Sequence, residues 1–382
     1  MNILFVSHSF APPEDPLANV GGMQRVAMDL FAELSSRPDL HVVPWLLRTT
    51  WAATGRKTPG FIARGLWRIP QLVRDHRIDV VLFSSMVTAT MSLVLGRTLP
   101  SHVRLVAITH GLDVTTSFAP WQRWIVPRTF DCLDLVCPVS QATAAACQQR
   151  GMDPAFIEVV PNGIDADRVL PSNDRPALRQ RLNMPPVGDR LVLLSVGRQV
   201  RRKGFEWFIR HVMPQLPEQV DYWLVGEGPE NASIRAAASL MSAERVRLLG
   251  KVDGELLHDL YAAADLFVMP NIVVPGDMEG FGIVMLEAGL AGLPVVASNL
   301  EGILDVVVDG DNGWLLPTED VRAFVERISL LAADRAQLSN ARELSRQSVL
   351  RRFTWAAVAD QMVTALRRCS ESPPRRRTNP PG

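Results

Sequence analysis

Short apolar runs alternate with helix-length segments along almost the whole chain, and no other feature restricts the fold as much. The first series is NILFVS, a helical stretch from about Gly22 to Ser36, HVVPWLL, a helix around Ile62 to Arg77, VVLF, RLVAIT and LVCPVS. Runs that are apolar at consecutive positions, rather than at every second one, suit strands buried on both faces. Their alternation with helices predicts βαβ units around a parallel sheet. After IEVVPNGID, the stretch from Ala166 to Asp189 holds Pro171, Pro176, Pro185 and Pro186 and reads as a connection. The pattern then restarts with RLVLLSVG, a helix after Lys203, VDYWLVGEG, RVRLLG, ELLHDLYAAA, DLFVMP, a helix from about Gly282 and LPVVAS, and helices continue to about Arg368.

The expected architecture is therefore α/β, two Rossmann-like domains with parallel sheets facing across a cleft. The domains are expected at 1–165 and 190–352, joined by a linker at 166–189. A helix at 353–368 crosses back to the N-terminal domain, and a disordered tail follows at 369–382. A chain of 382 residues supports two such cores. Open sheets of this kind bind ligands beyond the carboxyl ends of their strands, so residues just after strands carry most weight.

Charge narrows the partners. Forty basic and forty acidic residues leave no formal net charge, which removes the usual case for a nucleic-acid binder. The balance is local: Leu40 to Arg128 holds eleven Lys or Arg against three Asp or Glu, whereas Val252 to Val321 holds thirteen acids and no Lys or Arg. Cys132, Cys137, Cys147 and Cys369 form no CxxC pair and no metal spacing, which fits a reduced cytoplasmic chain. MNILFVSHSF lacks a basic leader and a cleavage site, and reads as a first buried strand. The uncharged run Val80 to Gly96 is short for a membrane span and splits more cheaply into a strand and a helix.

The most specific signal is EGFGIVMLE, with Glu279 and Glu287 eight positions apart around a glycine turn that opens a helix. Gly280 and Gly282 permit close backbone approach, and the N–H groups of Gly282, Ile283 and Val284 at a helix start suit a diphosphate. Glu287, two turns further on, is placed to bind ribose hydroxyls. The bland alternative is a helix with two solvated acids. In GRQVRRKG, after a strand, Arg198 and Lys203 can neutralise a departing diphosphate without a metal, while Arg201 and Arg202 between them are expected to face solvent.

These residues match the E-x7-E element and basic loop of the family 4 retaining glycosyltransferases, also called group 1, which have the two-domain glycosyltransferase B fold. The resemblance runs from about Asn2 to Arg368, is most specific in the second half and is loose from Trp45 to Ile78. It implies that Arg198 and Lys203 hold the donor phosphates and that Glu279 steadies the sugar and the positive charge at its anomeric carbon. It further implies that Gly21 and Gly22 of GGMQR lie against donor phosphate and acceptor, and that Gln24 touches the acceptor. For GGMQR a helix start is the alternative reading. His110 in THGLDV would lie beside the donor sugar, although a lone histidine is often only structural. Gly226 of GEGPE resembles a turn beside the nucleotide, and Val252 of GKV resembles the backbone that meets the base. PNGID matches the interdomain segment, and Ser140 lies at another strand end. The implied reaction moves a hexose from a GDP- or UDP-sugar to a glycan or lipid-linked acceptor in envelope polysaccharide or glycolipid assembly. The leaving phosphate would itself take the acceptor proton.

No cofactor and no metal is expected. The D-x-D strings Asp165 to Asp167 and Asp309 to Asp311 fall in PNGID and in a glycine turn. In FIARGLWRIPQLVR, Ile62, Leu66, Ile69 and Val73 recur at helical spacing, with Arg64 and Arg68 elsewhere on the wheel. A helix packed on its sheet shows the same periodicity. The regional basic surplus nevertheless points to a lipid-linked or anionic acceptor, with the protein peripheral on an anionic membrane surface. A soluble sugar or sugar-phosphate synthase, a nucleotide-sugar epimerase and a non-catalytic nucleotide-sugar sensor fit the same frame. A nicotinamide oxidoreductase is disfavoured because GEGPEN lacks the third small residue of the dinucleotide fingerprint.

Overall fold

The computed structural model describes residues 1–12, 22–116, 118–167, 172 and 174–375. Two compact units emerge, one of Met1–Gly163 with Trp355–Gly382 and one of Ile164–Thr354.

The first unit is built on five parallel strands: β1 (Asn2–Phe10), β2 (His41–Arg48), β3 (Val80–Phe83), β4 (Arg104–Thr109) and β5 (Leu135–Pro138). Their order is β2-β1-β3-β4-β5, so the chain reverses direction across the sheet between β1 and β3. β1 is buried from Ile3 to Phe10, as an apolar run covered on both faces must be. The helix Gly22–Ser36 buries Gln24, Val26, Ala27, Leu30 and Leu34, one stripe at helical spacing. The final helix, Trp355–Glu371, packs on it and buries Val358, Ala359, Met362, Val363 and Leu366. Arg104 of β4 ties down the end of that helix, its guanidinium donating to the carbonyls of Cys369 at 3.0 Å and Ser372 at 2.5 Å.

The helix expected around Ile62 runs from Trp51 to Asp75 with Pro59 and Pro70 inside it. Gly55, Pro59 and Gly60 lie in its first half, ahead of where the helix was expected. The structure keeps it helical, with Thr54 and Thr58 hydroxyls donating to the carbonyls of Thr50 and Thr54 one turn back. Its buried seam is Phe61, Gly65, Ile69 and Leu72, and Phe61 stacks on Trp45 of β2 at 5.6 Å. Val80 to Gly96 divides into β3 and the helices Met86–Ala89 and Ser92–Thr98. Among the described residues no helix is long and apolar enough to cross a membrane.

The second unit has six parallel strands: β6 (Leu191–Val196), β7 (Val220–Val225), β8 (Val246–Gly250), β9 (Leu266–Met269), β10 (Val295–Ser298) and β11 (Gly313–Leu316). The order β11-β10-β9-β6-β7-β8 puts the reversal between β6 and β9. Leu191, Leu193, Phe208, Tyr222, Leu224 and Phe324 lie in its main core. The stretch 166–189, expected as a linker, groups with this unit and carries the helix Arg175–Arg181. Arg179 of that helix is fully buried, and Arg175 and Arg179 both reach Asp265, the residue before β9, at 2.9 and 2.5 Å. Composition marked the prolines; the buried charge pairing holds the segment to the unit. Residues 168–171, 173 and the end of the tail from 376 lie outside the described residues.

Candidate functional site

Where strand order reverses, the loops leaving neighbouring strands part and open a crevice at the sheet edge. In the second unit these are the loops after β6 and β9, and the motif residues converge on them. Lys203 sits on a 3-10 turn, Arg201–Lys203, and is buried. Its ammonium lies 2.5 Å from Glu279 Oε2. The same carboxylate oxygen accepts from Asn271 Nδ2 at 3.2 Å, and Asn271 stands two residues beyond the end of β9. Arg202, expected in solvent, is not there: its side chain is only 15% exposed and its guanidinium lies 3.1 Å from Asp277 and 3.5 Å from Glu279. A 3-10 turn advances about a third of a turn per residue, so neighbours in a basic run point different ways. Arg201 remains exposed.

Glu279 is thus a buried charge held by three donors. Burial pushes its carboxyl up, but attraction to Lys203 and Arg202, with hydrogen bonds from Lys203 and Asn271, overrides this and holds it below the usual carboxylate range. Glu279 is an anion at neutral pH. Arg198 is exposed and makes no ion pair with the described residues. Among the described residues Asn271 Oδ1 is buried without a hydrogen-bond partner, which leaves an acceptor open.

The turn after Glu279 leads into the helix Ile283–Leu290 through Gly282, whose φ of +84° is costly for any residue with a Cβ. The backbone amides of Ile283 and Val284 therefore sit at a helix start, as the glycine spacing predicts. Glu287 is buried and accepts from the Tyr261 hydroxyl at 3.0 Å. Gly226 follows β7 and donates its N–H to Gly250 O at 2.7 Å, while its own carbonyl accepts from the buried Gln199 amide at 2.8 Å. Val252 is half-buried beyond β8, just before Asp253 caps the helix Gly254–Ala263. Five of the second unit's candidates, Arg198, Lys203, Gly226, Val252 and Glu279, lie on loops after strands. Ile283, Val284 and Glu287 occupy the helix that follows Glu279, and Gly282 is its N-cap. Asn271 and Arg202 were missed. Asn271 offered one signal, its place two residues after an apolar run.

In the first unit His110 follows β4. Its backbone N–H donates to Asp113 Oδ1 at 2.8 Å, and its Nε2 donates to the carbonyl of Ser84 at 2.9 Å. His8, near the end of β1, joins this group with Nδ1 3.4 Å from Ser85 Oγ. Burial pushes its imidazole down to about 4, with Asp113 opposing and His110 assisting, so His8 is neutral near pH 7. No spacing motif singled it out. Gln24 is 2% exposed, and neither of its amide atoms has a hydrogen-bond partner among the described residues. Gly22 is the exposed first residue of its helix, and Gly21 lies outside the described residues. Ser140 caps the helix Gln141–Gln148 by accepting from Thr143 N–H at 3.1 Å. Gly163 of PNGID lies under Trp355, where a Cβ would meet the indole at 2.5 Å.

In both D-x-D strings carboxylates accept hydrogen bonds from the protein's own groups. Asp165 accepts from Asp167 N–H at 3.0 Å, Asp309 from Leu315 N–H at 3.0 Å and Asp311 from the Ser348 hydroxyl at 2.9 Å.

Known proteins share both the sequence and the shape. Residues 190–334 match the family model described as glycosyl transferases group 1, and residues 20–168 that of glycosyltransferase family 4. A GDP-mannose-dependent alpha-(1-6)-phosphatidylinositol monomannoside mannosyltransferase of Mycolicibacterium smegmatis is 32% identical over 78% of this chain and 79% of its own. A D-inositol 3-phosphate glycosyltransferase of Geodermatophilus obscurus is 33% identical over 62% of this chain and 53% of its own. Among solved structures, Anabaena HepE in complex with UDP superposes with a TM-score of 0.75 at 21% identity, over 96% of this chain and all of the other. The sucrose-phosphate synthase of Thermosynechococcus elongatus gives 0.73 at 22% identity, over 96% and 98%.

Proposed function

The chain belongs to the group 1, family 4 glycosyltransferases, and from that premise we propose that it transfers mannose from GDP-mannose to an inositol-bearing phospholipid, with retention of configuration and without a metal. Glu279 carries the reading: a buried anion clamped by Lys203 at 2.5 Å, beside the unpaired Asn271 acceptor, where strand order reverses. The donor and acceptor are those named for the mannosyltransferase relatives, and the inositol is common to both groups of relatives described above.

The chemistry follows from charge. As the bond between anomeric carbon and diphosphate oxygen lengthens, negative charge grows on the phosphate and positive charge on the sugar. Arg198 and Lys203 are the cations for the phosphate, and the amides of Ile283 and Val284 add a helix start. Glu279 opposes the charge on the anomeric carbon, and Asn271 Oδ1 can accept from a sugar hydroxyl. The acceptor hydroxyl attacks from the face the diphosphate leaves. Its oxygen bonds to the anomeric carbon, its proton passes to the departing phosphate oxygen, and configuration is retained. Glu287 is assigned to the ribose, Gly226 and Val252 to the nucleotide, His110 to the donor sugar, Gln24 to the acceptor, and Gly21 and Gly22 to phosphate and acceptor.

A peripheral position on an anionic bilayer belongs to the same proposal. The helices Trp51–Asp75, Ser92–Thr98 and Val126–Phe130 pack in a row, and the first exposes Trp67 at 72% between Arg64 and Arg68. Next to the last, Trp124 is 57% exposed with the Arg128 guanidinium over its ring at 5.3 Å. Exposed indoles among arginines suit a headgroup layer.

The test is donor binding and turnover in EDTA. GDP-mannose is expected to raise the melting temperature selectively over UDP-, dTDP- and ADP-sugars, with the shift lost in Arg198→Ala and Lys203→Ala. Turnover on a phosphatidylinositol mannoside should persist in chelator and give an α-linked product. Preference for a UDP-sugar would overturn the donor, and EDTA-sensitive turnover restored by magnesium or manganese would overturn the metal-independent mechanism.

A further inference from the structure

Glu301 lies three residues beyond β10, outside every motif, and its backbone has a φ of +50°. That left-handed conformation disfavours side chains with a Cβ, and a glycine would adopt it without strain. The half-buried Glu301 carboxylate accepts the Glu279 backbone N–H at 2.5 Å. The next residue completes a second contact, with Gly302 N–H donating to the Glu279 carbonyl at 3.1 Å. Gly302 lies so close that a Cβ there would meet the Gly280 carbonyl at 2.2 Å. Both polar groups of Glu279's own backbone are therefore held by two adjacent residues of another loop. The Glu279 side chain meanwhile reaches Lys203, Arg202 and Asn271.

We propose that Glu301 is a positioning residue for the transfer reaction, fixing through the Glu279 backbone N–H where the Glu279 carboxylate stands opposite the donor. This rests on the transferase reading of the site. A charge-assisted bond to a backbone N–H is stronger than a neutral one, and it offsets the strained φ. Without it, Glu279 keeps its side-chain donors but its peptide can rotate, and the carboxylate shifts with it. Displacements on the order of 1 Å in such groups cost up to about 100-fold in rate.

Three variants separate position from bulk structure. Glu301→Gly relieves the strained φ while removing the acceptor, Glu301→Ala removes the acceptor alone, and Glu301→Gln keeps an acceptor oxygen without charge. Turnover number is expected to fall at least about tenfold in Gly and Ala with donor KM within about threefold, and Gln should recover much of it. Glu301→Gly should melt no lower than wild type. Hydrogen exchange supplies a readout independent of catalysis: amides of 279–282 should exchange faster in Gly and Ala than in Gln or wild type. Wild-type turnover number in Glu301→Gly, or unchanged exchange at 279–282 in both Gly and Ala, would overturn the assignment. A wild-type protein inert towards every nucleotide sugar would instead fault the transferase reading, and the exchange result would still decide the clamp.

Discussion

His8 shows how much a single side chain can depend on what surrounds it. Its ring is buried beside Asp113 and His110, and burial outweighs the carboxylate, so the folded state binds a proton only near pH 4 while the unfolded chain binds one near 6.5. Between those values the unfolded state holds more protons, so the stability this group supports is complete above about pH 6.5 and drains away as pH falls. By pH 5 the loss is about 2 kcal/mol. His8→Gln should therefore narrow the drop in urea midpoint between pH 7 and pH 5, and an equal drop in wild type and variant would refute the assignment. At this scale the sequence was informative in proportion to local spacing. Glu279, Glu287, Arg198 and Lys203 stood out because their chemistry sits in one loop or one helix. His8, Asn271 and Arg202 did not, since their meaning comes from residues far along the chain.

Among the elements, the helix Arg175–Arg181 departs most from expectation. Four prolines in 166–189 read as a connection, yet the helix is anchored by a carboxylate that two guanidiniums share. Asp265 also accepts Val192 N–H at 2.8 Å at the start of β6, and Arg342 lies close enough for Asp265 to oppose the effect of burial on its guanidinium. One acid thus compensates several bases in the interior. Asp265→Ala would leave Arg175 and Arg179 buried without a counter-ion, and it is expected to lower the unfolding free energy of the second unit by about 3–5 kcal/mol in chemical denaturation. A loss below about 1 kcal/mol would show that the lock is dispensable. The sequence could mark the prolines but not the lock, because an arginine that pairs with an aspartate 86 residues away leaves no local periodicity.

For the whole molecule, the stretch between Leu40 and Arg128 that carries the basic surplus includes a row of helices beside which Trp67 and Trp124 are exposed. If that row rests on lipid, the protein should sediment with vesicles containing phosphatidylglycerol at low salt and release in about 0.5 M salt, where charges are screened within a few ångströms. Arg64→Glu with Arg68→Glu should abolish sedimentation while donor binding persists, and indifference of wild type to anionic vesicles would remove the membrane from the proposal. The sequence by itself determined the two series of βαβ units, the motif residues that gather beyond the strand ends and the family, because hydrophobic period and loop chemistry are written in neighbouring positions. The tertiary structure alone decided that Arg202 turns inward, that Asn271 keeps an open acceptor and that Glu301 grips Glu279. Those residues leave β6, β9 and β10 at distant points of the chain, and they meet only where folding sets the ends of adjacent strands side by side.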